Sequence, residues 1–485
     1  MKSKFIRSDR SAIHIVGVGG SATSGLARLL VARGHRVSGS DGREGRHLAA
    51  LRAAGLPVHV GHHASQVPDP VDLVVSSAAV PRSNPEICRA RELGARECRY
   101  AELLGELLDE KTGLAVAGTH GKTTTAGFLT SILVAAGRDP EVLIGGYHSQ
   151  LGGNCRAGRG PEFVVEACEF NRSFHALRPR AGIITCVEHD HPDVYGDDIE
   201  LLDAFETYVE GVRGGPLLCG IDSPMVAGLA RGAFHAEIIP YGFSPHALWQ
   251  AESLVLGRKP RFRASYRGIP YADLEIALPG RHNVLNALAA VALAAELGVE
   301  ANEAVAGVRQ FSGVDRRFQR RGDFAGISLV DDYAHHPTEV RSTIEAARDC
   351  YPGRRVWAVF QPHQWGRLQA YLDGFATALS QADRPILLPV YSVREKPTDF
   401  SPRLLDGLRT RICACGAPAE RVSDGDELLD LLERELDDGD VCLMLGAGDI
   451  VDLSDPLADR LSRRWDRGDL LSVGNRESEL GERRA

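Results

Sequence analysis

Short apolar runs recur along the chain, each followed by a glycine-rich turn and then by apolar positions at helical spacing. The first run, Ala12-Ile13-His14-Ile15-Val16, turns through Gly17-Val18-Gly19-Gly20 into a helix bearing Ala22, Leu26, Leu29 and Leu30 that stops at Gly34. A second strand at 36–39 leads to Ser40-Asp41. A new block opens with a strand at 114–117, a Gly118 to Lys122 turn and a helix through Phe128, Leu129, Ile132 and Leu133 to Gly137. Further strands are expected near 163–165 and 181–185, and an Ala-rich helix after Asn283. A third block has strands at 327–330, 356–360, 386–390 and 441–445. Strand, turn and helix in this repeating order predict an α/β fold in three domains. They are an N-terminal Rossmann-like domain (1–107), a central P-loop ATPase-like parallel sheet (108–311) and a C-terminal Rossmann-like domain (312–466). A loose polar tail is expected at 467–485.

The length of 485 residues agrees with three domains of about 100 to 200 residues each. The net charge of −9 argues against nucleic acid as a partner. No apolar run approaches the roughly 18 residues of a membrane span and no signal peptide is evident, so membrane insertion is not expected and the expected location is cytoplasmic. Oligomeric state is not legible. Ten cysteines lack paired zinc spacing and read as reduced, mostly buried thiols. Only six of the basic residues are lysines: Lys2, Lys4, Lys111, Lys122, Lys259 and Lys396. Any lysine chemistry must use one of them.

Gly17, Gly19 and Ala22 satisfy G-x-G-x-x-A, with Asp41 at the end of the next strand. Such a turn brings backbone N–H groups and a helix N-terminus to a pyrophosphate, and the carboxylate to ribose hydroxyls. NAD, another diphosphate such as a UDP-sugar, or plain strand-to-helix packing all satisfy this pattern. Gly118-x-x-Gly121-Lys122-Thr123 is more specific, because strand, glycine turn, Lys-Thr and helix stand in the order a phosphate-cradling loop needs. Lys122 would reach the β and γ oxygens of ATP, and the Thr123 hydroxyl would face Mg²⁺. Glu166 after the strand at 163–165, and His191 in Glu188-His189-Asp190-His191, suit a cation beside that loop. A zinc site built on His189 and His191 lacks an evident third ligand.

The run Gly118-Thr119-His120-Gly121-Lys122-Thr123-Thr124-Thr125 resembles the ATP loop of the Mur ligase family, enzymes that add amino acids to a UDP-linked muramic acid. Three runs resemble the alanine-adding branch: 279–286 (Pro-Gly-Arg-His-Asn-Val-Leu-Asn), Arg316-Arg317-Phe318, and 331–339, with its Tyr333-Ala334-His335-His336-Pro337 centre. Ser76-Ser77-Ala78-Ala79-Val80, Asn84-Pro85-Glu86 and Gly446-Ala447-Gly448-Asp449-Ile450 also fit. The resemblance implies ligation of L-alanine to UDP-N-acetylmuramate with ATP and Mg²⁺, for which Mn²⁺ can stand in. It places the UDP-sugar at Gly17, Gly19, Gly20, Ser21, Asp41, His62, Ser76 and Ser77. It places ATP at Gly118, Thr119, His120, Gly121, Lys122, Thr123, Thr124, Asn283, Asn286, Arg316, Asp331 and Asp332, and the metal at Thr123, Glu166 and His191. His335, Gln364 and Arg367 fall in the amino-acid pocket, and Lys122, His335, Arg316 and Arg367 in catalytic positions. Closure of the third domain is the expected way of assembling the site.

Three departures stand out. Cys168 occupies the place of an Asp in Glu166-Ala167-Cys168-Glu169, and Cys186 that of an Asn. A thiol is a poor partner for a hard cation. Gln364 stands where an Arg is common, and an amide lacks the charged fork that Arg offers a carboxylate, leaving Arg367 alone or helped by Arg394. Glycine or L-serine could then compete with L-alanine. By contrast, no lysine lies between Lys122 and Lys259, so the carbamylated lysine that bridges metals in several Mur ligases is absent from its position, which agrees with the alanine-adding branch. Rival readings are a recycling ligase that attaches a murein tripeptide, an NAD-dependent dehydrogenase and a nucleotide-sensing module.

Overall fold

The computed structural model describes residue 6 and residues 10–392, 395 and 401–463. Arg394 and the expected tail lie outside them. Three sheets carry the chain, as an α/β protein with three domains.

The first sheet contains β1 (Ala12–Val16), β2 (Arg36–Asp41), β3 (Val58–Val60), β4 (Leu73–Ser76) and β5 (Arg96–Arg99). Their spatial order is β3-β2-β1-β4-β5 and every neighbouring pair is parallel. All of β1 is buried, as suits a strand covered on both faces. The chain leaves β1 for β2 on one side and reaches β4 on the other, and such a reversal opens a crevice at the carboxyl ends of the strands.

The second sheet contains β6 (Thr112–Ala117), β7 (Glu141–His148), β8 (Gly153–Arg156), β9 (Glu162–Glu166), β10 (Ala181–Ile184), β11 (Pro216–Gly220), β12 (Glu237–Gly242), β13 (Trp249–Val255), β14 (Arg261–Tyr266) and β15 (Ile269–Glu275). Its order is β15-β14-β13-β12-β11-β10-β6-β9-β7-β8. The strands around β6 are parallel, but β13, β14 and β15 pair antiparallel at one edge, and β8 pairs antiparallel with β7 at the other. The parallel sheet expected here forms the centre, and antiparallel strands extend it at both edges. Along β14, Phe262 and Ala264 are buried while Arg261 is exposed. A one-sided strand with arginines on its wet face carries no continuous apolar run to reveal it. The helix Lys122–Ala135 is buried from Thr123 to Leu133, and Arg281–Glu296 is buried over most of its length. Helices apolar on all sides belong inside.

The third sheet contains β16 (Gln319–Phe324), β17 (Ile327–Asp332), β18 (Val356–Phe360), β19 (Arg384–Leu387), β20 (Glu420–Arg421) and β21 (Val441–Leu445), in the order β16-β17-β21-β18-β19-β20. Only β16 is antiparallel to its neighbour. β19 starts two residues earlier than the apolar run suggests, because its ladder with β18 runs from Arg384 to Leu387. Two compact units result: Met1–Val255 with Pro260–Ala277 and His282–Asp315, which holds the first two sheets, and Leu256–Lys259 with Leu278–Arg281 and Arg316 onward, which holds the third.

All ten cysteines are free, but only Cys98, Cys219, Cys350 and Cys442 are buried, whereas Cys88, Cys168, Cys413 and Cys415 are exposed. The expectation of mostly buried thiols is overturned. Cys88, Cys413 and Cys415 lie on or at the end of helices, and a helix on a domain surface leaves part of its girth to solvent. Among the described residues no helix is long and apolar enough to cross a membrane.

Candidate active site

The first glycine turn leaves the end of β1. Gly17 sits at φ +83°, and a Cβ there would lie 2.7 Å from Ser77 Oγ. The Gly19 N–H donates to Asp41 Oδ2 at 2.9 Å, so the carboxylate expected at a ribose also braces the turn. Gly20 caps the helix Ser21–Ala32. Ser21, expected at a pyrophosphate, instead donates its hydroxyl to Gly145 O on β7, and its carbonyl accepts from Asn154 Nδ2 at 2.6 Å. Arg99, which the sequence reading passed over, donates through Nη1 to Ser76 Oγ (3.0 Å), Ser77 O (3.0 Å) and Val80 O (2.8 Å). It shapes the loop that holds both serines. His62 Nδ1 lies 3.0 Å from Ser40 Oγ and 3.3 Å from Glu86 Oε1.

The second turn leaves β6, between β9 and β10. Gly121 has φ +81° and opens the helix Lys122–Ala135; a Cβ on it would come within 2.5 Å of Asn286 Oδ1. Asn286 donates to Asn283 Oδ1 and accepts from Thr125 Oγ1, both at 3.1 Å, which brings both expected asparagines to the loop helix. The Thr119 hydroxyl donates to Glu188 O at 3.1 Å, and His120 Nε2 lies 2.5 Å from Glu188 Oε1. Lys122 Nζ folds back on the loop, donating to Gly118 O (2.5 Å), Thr119 O (3.0 Å) and both oxygens of Glu169 (3.1 and 2.8 Å). Burial opposes the charge on Lys122, but the Glu169 carboxylate outweighs it and raises the ammonium above its ordinary range.

Thr123 Oγ1 donates to Glu166 Oε2 at 3.0 Å, while Glu166 Oε1 accepts the Gly145 N–H. Thr124 is buried beside them on the helix. His191, at φ +56°, gathers with Glu169 and Asp190, their ligating atoms within 4.8 Å of one another. Thr123 with Glu166 is a pairing the sequence anticipated. The grouping of His191 with Glu169 and Asp190 is not, and it leaves out His189, the partner in the rival zinc reading. Its two carboxylates give an oxygen-rich donor set, which suits Mg²⁺.

In the second unit, Arg316 is buried at φ +60° with Nη2 donating to Gly446 O (2.6 Å) and Gly448 O (3.1 Å), its guanidinium 4.8 Å from the centre of the Tyr333 ring. Asp332 accepts the N–H groups of Phe318 and Ala334, both at 2.8 Å, and Asp331 accepts from Ser454 Oγ at 2.5 Å. Both carboxylates, one of which was expected at the ribose of ATP, are buried and engaged inside their own domain, and burial raises each to about 6. Asp332 fixes the turns around Phe318 and Ala334, and Asp331 ties the end of β17 to Ser454.

His335 Nδ1 lies 3.0 Å from Tyr333 O and 3.1 Å from Glu339 Oε2. Its ring meets that of His363 edge-on at 6.0 Å, a neighbour the sequence reading missed. Gln364, at φ +67°, donates its N–H to Tyr391 O (2.9 Å) and accepts from Ser392 Oγ (3.2 Å). Arg367 follows on the helix Trp365–Ala370, mostly buried. His335 thus follows the carboxyl end of β17, and His363 and Gln364 follow that of β18, both inner strands of the third sheet.

Residues 12–112 match the Mur ligase family catalytic domain, 116–294 the Mur ligase middle domain and 316–448 the Mur ligase glutamate ligase domain. The UDP-N-acetylmuramate–L-alanine ligase of Agathobacter rectalis is 38% identical over 455 residues, which cover 92% of this chain and 97% of that one. The chain belongs to the Mur ligase family. A ligase of the same description from Salinibacter ruber is 40% identical, covering 90% of this Mur ligase and 92% of its own length. Among solved structures, the UDP-N-acetylmuramate–alanine ligase of Thermotoga maritima is similar with a TM-score of 0.80 at 30% identity, covering 93% of this chain and 99% of that one. A murein peptide ligase from Psychrobacter arcticus is similar with a TM-score of 0.70 at 26% identity, over the same shares.

Two departures from the family pattern now have surroundings. Cys168 is exposed and immediately precedes the Glu169 that holds Lys122. Cys186 is half-buried, its thiol 3.8 Å from His120 O.

Proposed function

We propose that this Mur ligase joins L-alanine to the lactyl carboxylate of UDP-N-acetylmuramate at the expense of ATP, through an acyl phosphate. The observation that carries the reading is the near full-length similarity to L-alanine ligases, combined with the Gly118–Thr123 loop, whose Lys122 ammonium is held by Glu169. ATP use belongs to the family; the sugar nucleotide, the amino acid, the metal and a cytoplasmic location are parts of the proposal.

A bare carboxylate is a poor acyl donor, so the lactyl oxygen attacks the γ-phosphorus, ADP leaves, and an acyl phosphate forms. The neutral amine of L-alanine then attacks the acyl carbon, phosphate departs, and the amine proton is lost. Lys122 spreads the charge that builds on the phosphoryl oxygens, and Arg316 does so from its own domain. His335, oriented by Tyr333 O and Glu339, is the candidate to hold the amine or take its proton. Arg367 holds the amino-acid carboxylate. The nucleotide's Mg²⁺ would be held by Thr123, Glu166 and His191, with Glu169 and Asp190 as further oxygen donors, and when bound it supplies charge neutralisation at the phosphates. The boundaries at 107 and 311 remain part of this reading, dividing the chain into sugar-nucleotide, ATP and amino-acid domains.

The murein peptide ligase similarity supports a second reading, in which a tripeptide replaces L-alanine. The higher TM-score and identity of the alanine ligase favour the first. A dehydrogenase leaves Lys122 and the His335-His336-Pro337 run without a task. The deciding assay is ADP release by purified protein with UDP-N-acetylmuramate, ATP and Mg²⁺ plus L-alanine, glycine, L-serine or the tripeptide. Alanine-dependent release is expected; turnover on the tripeptide alone would overturn the reading. Comparable rates with glycine or L-serine would mark Gln364 as the source of relaxed choice.

A further inference from the structure

Glu86, the acid of the Asn84-Pro85-Glu86 run, takes no part in the mechanism above, yet its side chain is wholly buried at the carboxyl ends of the first sheet. Asn84 Oδ1 accepts the Glu86 N–H at 2.9 Å and starts the helix Pro85–Glu92, which aims the carboxylate inward. Five donors converge on it, among them the Gln66 side-chain amide, which donates to Oε1 at 2.9 Å. Oε2 accepts from His14 Nε2 (3.0 Å) and Ser40 Oγ (2.5 Å), and Oε1 accepts from the His63 N–H (3.0 Å) and lies 3.3 Å from His62 Nδ1. Burial works against the charge, but the hydrogen bonds from His14 and Ser40 overcome it and hold the carboxyl below its ordinary range.

An ionised carboxylate has no proton to give. The Ser40 hydroxyl points its hydrogen at Glu86 and so can only accept from His62 Nδ1, 3.0 Å away. Both neighbours therefore demand a proton on His62 Nδ1. In the neutral ring this leaves Nε2 as an acceptor. The His62 side chain is 26% exposed, and its Nε2 would lie 3.7 Å from a Cβ built on Gly42, the residue after Asp41.

We infer that Glu86 is a positioning residue that locks His62 in the Nδ1–H form, so that Nε2 accepts a hydrogen bond from an N–H or O–H of the uridine portion of the sugar nucleotide. The inference rests on the UDP-sugar reading of the first domain. It deepens that reading by naming the group that recognises the nucleoside and the buried acid that sets its polarity.

The test combines nitrogen NMR of ¹⁵N-histidine-labelled full-length protein with calorimetric titration of UDP. Wild-type His62 should give the Nδ1–H pattern. Glu86→Gln should lose that pattern and weaken UDP about 10-fold, the scale of one hydrogen bond in a charged network. It should raise the KM for the sugar nucleotide far more than the KM for ATP. His62→Ala should do the same, and the double variant should lose little beyond the larger single effect, because Glu86 acts through His62. Substituting UDP by its N3-methyl or 2′-deoxy analogue identifies which donor meets Nε2. An Nε2–H pattern in the wild type, or additive losses in the double variant, would overturn the inference. If Glu86→Gln does not fold, the wild-type tautomer and the His62→Ala titration still decide it. A wild type that binds no UDP would instead refute the UDP-sugar reading, while the tautomer measurement still reports on Glu86.

Discussion

The two glycine turns of the first unit have the same construction and opposite charge. Each leaves an inner strand of a sheet, β1 or β6, holds glycine at positive φ and opens a helix. At β1 the anchors are carboxylates that accept hydrogen bonds: Asp41 from the Gly19 N–H, and Glu86 from Ser40 and His14. No lysine lies on that turn. At β6 the turn carries Lys122, already clamped by Glu169. The difference fits two tasks for a phosphate. One that is only held can rest on N–H dipoles at a helix start. One that is transferred gathers charge in the transition state and needs a cation aimed at it.

The sharpest break in this comparison is Lys122→Met. It should slow alanine-dependent ADP release about 10²-fold or more, while UDP binding by calorimetry stays at the wild-type value. An equal loss at both sites would mean that Lys122 supports the fold rather than the transfer. Next in size is a pair of glycine substitutions. Gly121→Ala forces a Cβ to 2.5 Å from Asn286 Oδ1 at φ +81°, and Gly17→Ala forces one to 2.7 Å from Ser77 Oγ at φ +83°. A left-handed backbone costs a non-glycine residue about 1–2 kcal/mol, enough for roughly a 10-fold loss of affinity. Gly121→Ala should weaken ATP and spare UDP; Gly17→Ala should do the reverse. Titrations that do not cross in this way would erase the distinction between the turns.

Ser21→Ala probes a smaller effect. Its hydroxyl reaches Gly145 O, so its loss should cost about 1 kcal/mol in denaturant stability and leave UDP affinity unchanged. A weakened UDP with unchanged stability would restore Ser21 to the pyrophosphate, where the family pattern puts it.

Ser21 illustrates where sequence reading stops. Both turns were legible because strand, glycines and helix follow one another within a short stretch, and local chemistry dictates each. The partners of those turns were not. Glu86 meets His14 across 72 residues, Lys122 meets Glu169 across 47, and Ser21 meets Gly145 across 124. Periodicity carries no trace of such meetings. The family resemblance placed Glu166 and His191 at one metal, but the surroundings of His191, Glu169 and Asp190, emerge only once β9 and β10 flank β6. The antiparallel edge of the central sheet escaped for another reason: arginines on the wet face of β14 interrupt the apolar signal. Asp331 and Asp332 stand at the end of a strand, as nucleotide-binding acids do, and nothing local reveals that Ser454, Phe318 and Ala334 engage them.

The two turns should also part company in their response to pH. The folded state holds Glu86 below its ordinary value of 4.5, so its network contributes stability that is present above pH 4.5 and lost as pH falls through the lower folded value. Lys122 is held above its ordinary 10.5, so its pair with Glu169 contributes stability that is present below pH 10.5 and lost as pH rises through the higher folded value. Urea unfolding across the pH range should then show two limbs with separate owners. Glu86→Gln should flatten the acid limb and leave the alkaline one, and Lys122→Met should flatten the alkaline limb and leave the acid one. Each is one contribution among many titrating groups, which makes this the smallest of the expected effects. An acid limb unchanged by Glu86→Gln would mean that the carboxylate is not held ionised by His14 and Ser40, and the polarity assigned to the first turn would lose its physical basis.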